Sequence, residues 1–495
     1  MSPDPRQPVI VGVAQSTWRG GDAPSPIEMC AEVVTAAARD AGPGGEALLV
    51  RAEAIAVVDI ASRRWYDPAA LVASRLGITP RTTIRSNLGG DSPQVLVSRL
   101  ATQIARGELD VAVICGAEAL ATVGRAMRDG HELPWEPVDQ GAEPTEVLGS
   151  DRGPATPEEA EANLIAPIVM YPLFENALWA LEGTNLDEHR ARLGELWAGF
   201  SRVAAANPYA WSPQERTAAE IATPSADNRL VTLPYTKLLN SNIQTDQAAA
   251  LILCSDAVAR ELGIDRERWV HPHAAGHAYD HWFVSEREDL HSSPAIRLAA
   301  RAALDAAGAG IDDVAHLDVY SCFPSAVQIG CRELGIDPFA ETRPLTVTGG
   351  LTFAGGPGNN YETHAIAALV GRLREDPGSL GLTTAVGWYL TKHAVGIYGT
   401  GEPRQPFAAI DVQAQVDATP RRANGAGVAG TATGESASVV YSREGEPTVG
   451  ALTALLPDGR RAVAKTTDPG DLAALGEAPL AGREVVLDGR GGARL

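Results

Sequence analysis

Cysteine is scarce, with five residues in a chain of 495, and none of Cys30, Cys115, Cys254, Cys322 and Cys331 forms a CxxC pair. Neither a disulfide framework nor a zinc site is therefore expected. Basic clusters are missing as well. Lys and Arg number 41 against 62 Asp and Glu, giving a formal net charge of −21 and a pI near 4.9. Such a surface repels nucleic acid and anionic lipid, which excludes polynucleotide binding as a leading function. No apolar run approaches the ~20 residues that span a bilayer. Met1–Gln7 carries no basic stretch followed by a long apolar one, so no signal peptide is expected and the protein is read as cytoplasmic. What is present is an ordinary globular balance, 45% hydrophobic and 21% charged, and a length that suggests about three domains.

Short apolar runs alternate with Ala-rich amphipathic stretches through the first 400 or so residues. Val9–Ala14, Ala54–Ile60, Thr82–Ser86 and Val111–Cys115 read as buried strands, with helices at Pro26–Ala41, Asp67–Leu76 and Ser92–Arg106 between them. This alternation predicts an α/β sheet with parallel pairing. Residues 120–235 read as a long insertion with helices at 157–181 and 186–204, and Gln247–Cys254 resumes the strand pattern. An internal repeat follows. Ser25–Gly42 and Ser293–Gly310 are Ser-Pro-started, Ala-rich helices of equal length ending at glycine, each followed by a strand (Ala54–Ile60, His316–Tyr320) and then a Gly-Gly turn (Gly89-Gly90, Gly349-Gly350). Duplication of one α/β unit explains the shared order. From about Gly401 the pattern changes to short alternating segments at Ala437–Ser442, Thr448–Leu455, Arg461–Lys465 and Glu484–Leu487, with a turn at Pro457–Gly459. These predict a small β domain, with Asn424–Gly434 as a linker or loop. The expected domains are 1–265 (with the 120–235 insertion), 266–404 and 405–495.

These landmarks resemble the thiolase superfamily, within it the sterol carrier protein x-type thiolases. The resemblance spans about residues 8–400 and rests on VIVGVAQSTW (9–18), TKLLNSNIQTDQAAALILCS (236–255), YSCF (320–323) and GGLTFAGGPG (349–358). WYLTKHAVGIY (388–398) and DHWFVSEREDLHSSPAIR (280–297) look most like the thiolase-like protein type 1 group of actinobacteria, which adds a C-terminal domain. The resemblance implies a duplicated thiolase-like αβαβα core plus a small C-terminal β-barrel (OB-like) domain. It implies an acyl-CoA thioester or CoA as ligand, no covalently bound cofactor, no metal, and a place in lipid metabolism. A thiolase also needs a cysteine at a helix N-terminus and histidine to activate it. Here the nucleophile position falls at Gly90 or Asp91, the activating histidine at Gly356, and the second cysteine near Ala385, while Tyr320 stands where Asn or His helps form the oxyanion hole. Cysteine-dependent thiolysis is not expected.

Asp91-Ser92-Pro93 reads as a helix cap with Pro in the first turn; alternatively the helix N-terminus holds a thioester oxygen. Tyr320 and His393 are the candidate catalytic groups, Tyr320 to orient or protonate an enolate, His393 as a general base or else as a core histidine. Gly90, Asp91, Ser92, Gly350, Gly356, Tyr361 and Gly387 form the candidate substrate-binding set. His271, His273, His277 and His281 are read as surface or interface residues rather than metal ligands, His364 as a helix-surface residue, and Cys322 as no substitute for the missing nucleophile. Two functions remain open: an acyl-CoA-binding protein of the acetyl-CoA acetyltransferase family doing non-covalent C–C chemistry, or a catalytically silent scaffold on a thiolase fold. A homodimer through the core, a monomer, and a protein partner on the C-terminal domain are all compatible with the sequence.

Overall fold

The computed structural model describes residues 6–495. One sheet runs in the order Pro8–Thr17, Asp246–Ser255, Val111–Ala119, Ala54–Val57, Thr82–Ser86, Glu146–Leu148; a second runs Val314–Asp318, Leu380–Gly387, Lys392–Gly399, His271–Tyr279, Ala408–Asp411. Four strands of each sheet share one order and polarity (antiparallel, antiparallel, parallel): Pro8–Thr17, Asp246–Ser255, Val111–Ala119 and Ala54–Val57 in the first, His271–Tyr279, Lys392–Gly399, Leu380–Gly387 and Val314–Asp318 in the second. Duplication of a single unit produces this; Thr82–Ser86 and Glu146–Leu148 extend only the first sheet, and Ala408–Asp411, parallel to His271–Tyr279, only the second.

The outer helices follow from their sequence. Ser25 and Ser293 accept the backbone N–H of Glu28 and Ile296, Pro occupies the first helical position of each, and an Ala-rich face lies on the sheet. Packing there is close enough that a Cβ on the strand residues Gly12 or Gly276 would run into the Ala37 or Ala299 backbone. Helices Ser92–Ala105 and Tyr361–Glu375 form the middle layer. Leu96, Leu100, Ile366 and Leu369 share one core cluster with Leu251 of the first sheet and Tyr398 of the second. The layers are therefore αβαβα.

The expected helix at 157–181 is instead two helices, Pro157–Glu161 and Pro167–Glu182. Pro167 opens the second helix and holds Ala166 extended (ψ 137°). Asn424–Gly434 is not wholly a linker, because Ala429–Gly434 begins the long strand Ala429–Tyr441 and pairs with Glu484–Asp488. The C-terminal domain has antiparallel strands Ala429–Tyr441, Pro447–Leu455, Arg461–Thr466, Glu484–Asp488 and Ala493–Arg494. Lys465 N donates to the Gly491 carbonyl at 2.9 Å, bringing the two ends of the sheet together as in a small barrel.

This domain is docked through buried polar groups. Arg461 is fully buried, forks onto Glu435 (2.6 and 2.5 Å), and donates to the carbonyls of Val284, Ser285, Arg287 and Glu288 in the second half. Two strands of the 120–235 insertion, Leu230–Thr232 and Tyr235–Thr236, belong to the same C-terminal sheet. Among the described residues no helix is long and apolar enough to cross a membrane.

Candidate active site and ligand cavity

The turn from Thr82–Ser86 into the Ser92–Ala105 helix brings Gly90 against the second half of the chain. A Cβ on Gly90 would sit 2.5 Å from the Val386 carbonyl oxygen and closer still to the Tyr320 hydroxyl. The Tyr320 phenol therefore fills the space a nucleophile at position 90 would use. Gly387 packs on the Asp91 carboxylate and 3.0 Å from the Lys392 chain, again measured to an ideal Cβ. Gly350 (φ +76°) leaves 2.7 Å to Phe200 and to Ser321 Oγ. Gly356 donates its N–H to the Asn242 carbonyl at 2.9 Å, and Ala385 is buried opposite Ala394. Beyond Gly387, Trp388 and Leu390 adopt left-handed φ of 56° and 53°, an arrangement that costs a non-glycine residue ~1–3 kcal/mol. The Tyr171 hydroxyl fixes it by donating to the Trp388 carbonyl (2.8 Å) and accepting from Leu390 N (3.3 Å).

Asp91 does not cap its helix. Its side chain makes no cap hydrogen bond, Oδ1 is buried without a partner, and Ser92 Oγ donates to the Asn87 carbonyl at 2.9 Å. The carboxylate turns instead toward Gly387 and the electrostatic reach of Lys392, a site residue the sequence reading had not singled out. Lys392 Nζ donates to the carbonyls of Leu88 (2.7 Å) and Ser150 (3.1 Å). Burial raises the Asp91 carboxyl to about 6 despite the attraction of Lys392, and burial lowers the Lys392 ammonium. A carboxyl raised in the folded state stabilises most below its unfolded pKa of 3.8, and that contribution disappears as pH rises through 6. Asp91→Asn mimics the protonated form. It is expected to raise stability by about 3 kcal/mol above pH 7 and by nothing below about pH 4. Urea unfolding at both pH values measures this; a gain that does not change with pH sinks it.

Tyr320 and Tyr361 meet edge to face, with centroids 5.4 Å apart. The Tyr361 hydroxyl donates to Asp318 Oδ1 at 3.0 Å and contacts Thr348 Oγ1 at 2.6 Å, so it is committed within the core. His393 lies next to Lys392 on a strand, so the two side chains leave opposite faces. His393 is buried with Nε2 3.5 Å from Ser293 Oγ, and burial lowers its pKa to about 4. His271 and His281 are buried rather than at the surface, and so is His364, whose Nδ1 is 3.0 Å from Gln15 Oε1. His271 lies on a strand and His364 on a helix, while His281 sits in the bend after Tyr279 with Nε2 3.0 Å from Thr419 Oγ1. All five cysteines are buried, and burial holds the Cys322 thiol up at about 12, far from thiolate.

Beside this packed centre lies a cavity of about 870 Å³. Its wall includes Trp211, Asn240 and Asn242, and three cations reach it, Arg216, Arg229 and Lys237. No carboxylate side chain is among its lining residues. In a chain of net charge −21 this is a local concentration of positive charge, offset in part because Arg216 lies 3.9 Å from Glu220. Asn240 Nδ2 donates to the Thr236 carbonyl (2.7 Å), and its Oδ1 is buried without a partner. Ser241 N donates to the Cys322 carbonyl at 3.1 Å, so only the 240–242 segment separates the cavity from the Tyr320 loop.

Residues 411–490 match the family model for the thiolase-like protein type 1 additional C-terminal domain. A 3-ketoacyl-CoA thiolase of Serratia proteamaculans is 29% identical over 159 residues, 30% of this chain and 35% of the relative, so the chain spans about a third of the curated relatives it matches. The acetyl-CoA acetyltransferase of Syntrophomonas wolfei superposes with a TM-score of 0.58 at 16% identity, over 80% of this chain and 99% of that one, which shows a common fold. A monomeric SCP2-thiolase-like protein type 1 from Mycobacterium smegmatis is 34% identical over 99% of both chains, with a TM-score of 0.84. With two sheets built on one strand order and a docked C-terminal barrel on one chain, this likeness over its whole length has one meaning: the protein belongs to the SCP2-thiolase-like protein type 1 family.

Proposed function

We propose that this protein binds CoA and CoA thioesters non-covalently in the cationic cavity, without cysteine-dependent acyl transfer. The observation that carries the reading is a cavity lined by three cations and no carboxylate, beside a Tyr320 that occupies the space next to Gly90, one of the two candidate nucleophile positions. CoA is a polyanion with a long amide-bearing arm. Arg216, Arg229 and Lys237 suit its phosphates, and Trp211 offers a face for the base. Acyl transfer through an enzyme thioester needs a thiolate, and burial opposes one at Cys322.

Titration with CoA, acetyl-CoA and longer acyl-CoAs, followed by intact-mass measurement, tests both halves. Binding that weakens with salt is expected, with no acyl adduct. Arg216→Gln, Arg229→Gln and Lys237→Gln are each expected to lose about 1–1.5 kcal/mol, roughly five- to tenfold in affinity. An acetyl group mapped to any cysteine, or affinity indifferent to all three substitutions, overturns the proposal.

A further inference from the structure

The wall of the cationic cavity is held by two domains. Thr232 pairs antiparallel with Val440 of the C-terminal barrel, and Leu233 N donates to the Val439 carbonyl at 2.9 Å. The side chains of this hairpin divide between two environments. Arg229 and Val231 line the cavity. Leu230 and Leu233 pack instead with Ala437, Val439 and Leu452 in the barrel core. The buried Asn176 ties the two together, because its Nδ2 donates to the Leu233 carbonyl at 3.2 Å and to the Ala437 carbonyl at 2.6 Å. The root of the hairpin is fixed elsewhere, where Thr236 Oγ1 donates to the Ile221 carbonyl at 2.7 Å and Asn228 Oδ1 accepts from Leu238 N at 2.9 Å. Arg229 sits at that root, its carbonyl accepting from Lys237 N at 2.9 Å, and the strand Leu230–Thr232 that follows it, with Val231 on the cavity, runs from there to an anchor on the barrel.

We infer that the C-terminal domain is a working part of the ligand cavity: it holds the strand Leu230–Thr232, which carries Val231 and follows directly on Arg229, so affinity depends on residues that never touch the ligand. Leu233 and Asn176 are positioning residues. By linkage the dependence is reciprocal, and a ligand in the cavity tightens the barrel strand Ala429–Tyr441 where it meets the hairpin. The affinity arm of the test rests on the CoA reading; the exchange arm does not.

Hydrogen exchange on the full-length protein, compared with Leu233→Ala and Asn176→Ala, separates the two. Both variants are expected to exchange faster at 229–238 together with 436–441, while 246–255 stays as in the parent. Their affinity for CoA is expected to fall about fivefold, and the salt dependence of binding to flatten as it does in Arg229→Gln, because one cation no longer meets the ligand. In the parent, CoA is expected to slow exchange at 436–441, a readout that survives even if both variants fail to fold. Faster exchange at 436–441 with 229–238 unchanged overturns the inference, as does CoA binding with no slowing at 436–441. A parent protein that does not bind CoA overturns the proposed function instead, and exchange at 229–238 still decides whether the barrel holds the hairpin.

Discussion

Gly90→Cys is expected to restore no acyl transfer and to destabilise the protein by about 3 kcal/mol, the upper end of what overpacking usually costs. Two obstacles meet any side chain there, the Tyr320 hydroxyl and the Val386 carbonyl, the latter 2.5 Å from an ideal Cβ. A hydroxyl can swing away, but a carbonyl inside a sheet cannot. Tyr320→Ala itself empties part of the core at a cost of about 3–5 kcal/mol, but the two substitutions should couple favourably in a double-mutant cycle, the pair costing less than the sum. Even a tolerated thiol lacks an activating imidazole, because position 356 is glycine and the buried His393 leaves the opposite face of its strand from Lys392. Urea unfolding of the four proteins, with a thiolysis assay on each, measures this. A Gly90→Cys chain as stable as its parent would falsify the filled-slot geometry.

Arg461→Ala should have the largest effect on stability. The guanidinium is fully buried and satisfies Glu435 together with four carbonyls of the 284–288 segment. Removing one partner of such a pair leaves the other charge and its acceptors without compensation, about 3–5 kcal/mol. The barrel and the second half should then lose cooperativity, seen as a second transition in calorimetry. Arg461→Ala combined with Glu435→Ala should cost less than the sum of the single changes. If Arg461→Ala unfolds in one transition at the parental temperature, the clamp does not hold the domains together.

Local signals made much of the core legible. Ser-Pro starts and glycine ends bracket the outer helices, and Thr82–Ser86 is a strand as its alternation predicts. The break before Pro167 was masked by the apolar run on both sides of it. The strand at Ala429–Gly434 carries too much glycine to announce itself and forms because Glu484–Asp488 pairs with it. The site divides the same way. Gly90, Tyr320 and Gly387 could be named in advance, whereas Lys392, though inside WYLTKHAVGIY, stands out only once the fold sets it near Asp91. Arg216, Arg229 and Lys237 occupy separate loops and short elements, so their convergence is a property of the fold and not of any window of sequence. Lys237 alone lay within a quoted motif, at the start of TKLLNSNIQTD.

The short strand Glu146–Leu148 lies parallel to Thr82–Ser86 at the margin of the first sheet, with Ile84 opposite Glu146 and Ser86 opposite Leu148. A bare margin is a template for another chain. Here the protein's own backbone already sits on that template, so a second molecule can add a strand to Thr82–Ser86 only by stripping three residues away first. What is left outermost is too brief to guide a new strand into register. Intermolecular sheet extension on this side is closed to the native protein, and its aggregation threshold should follow how tightly those three residues stay in place.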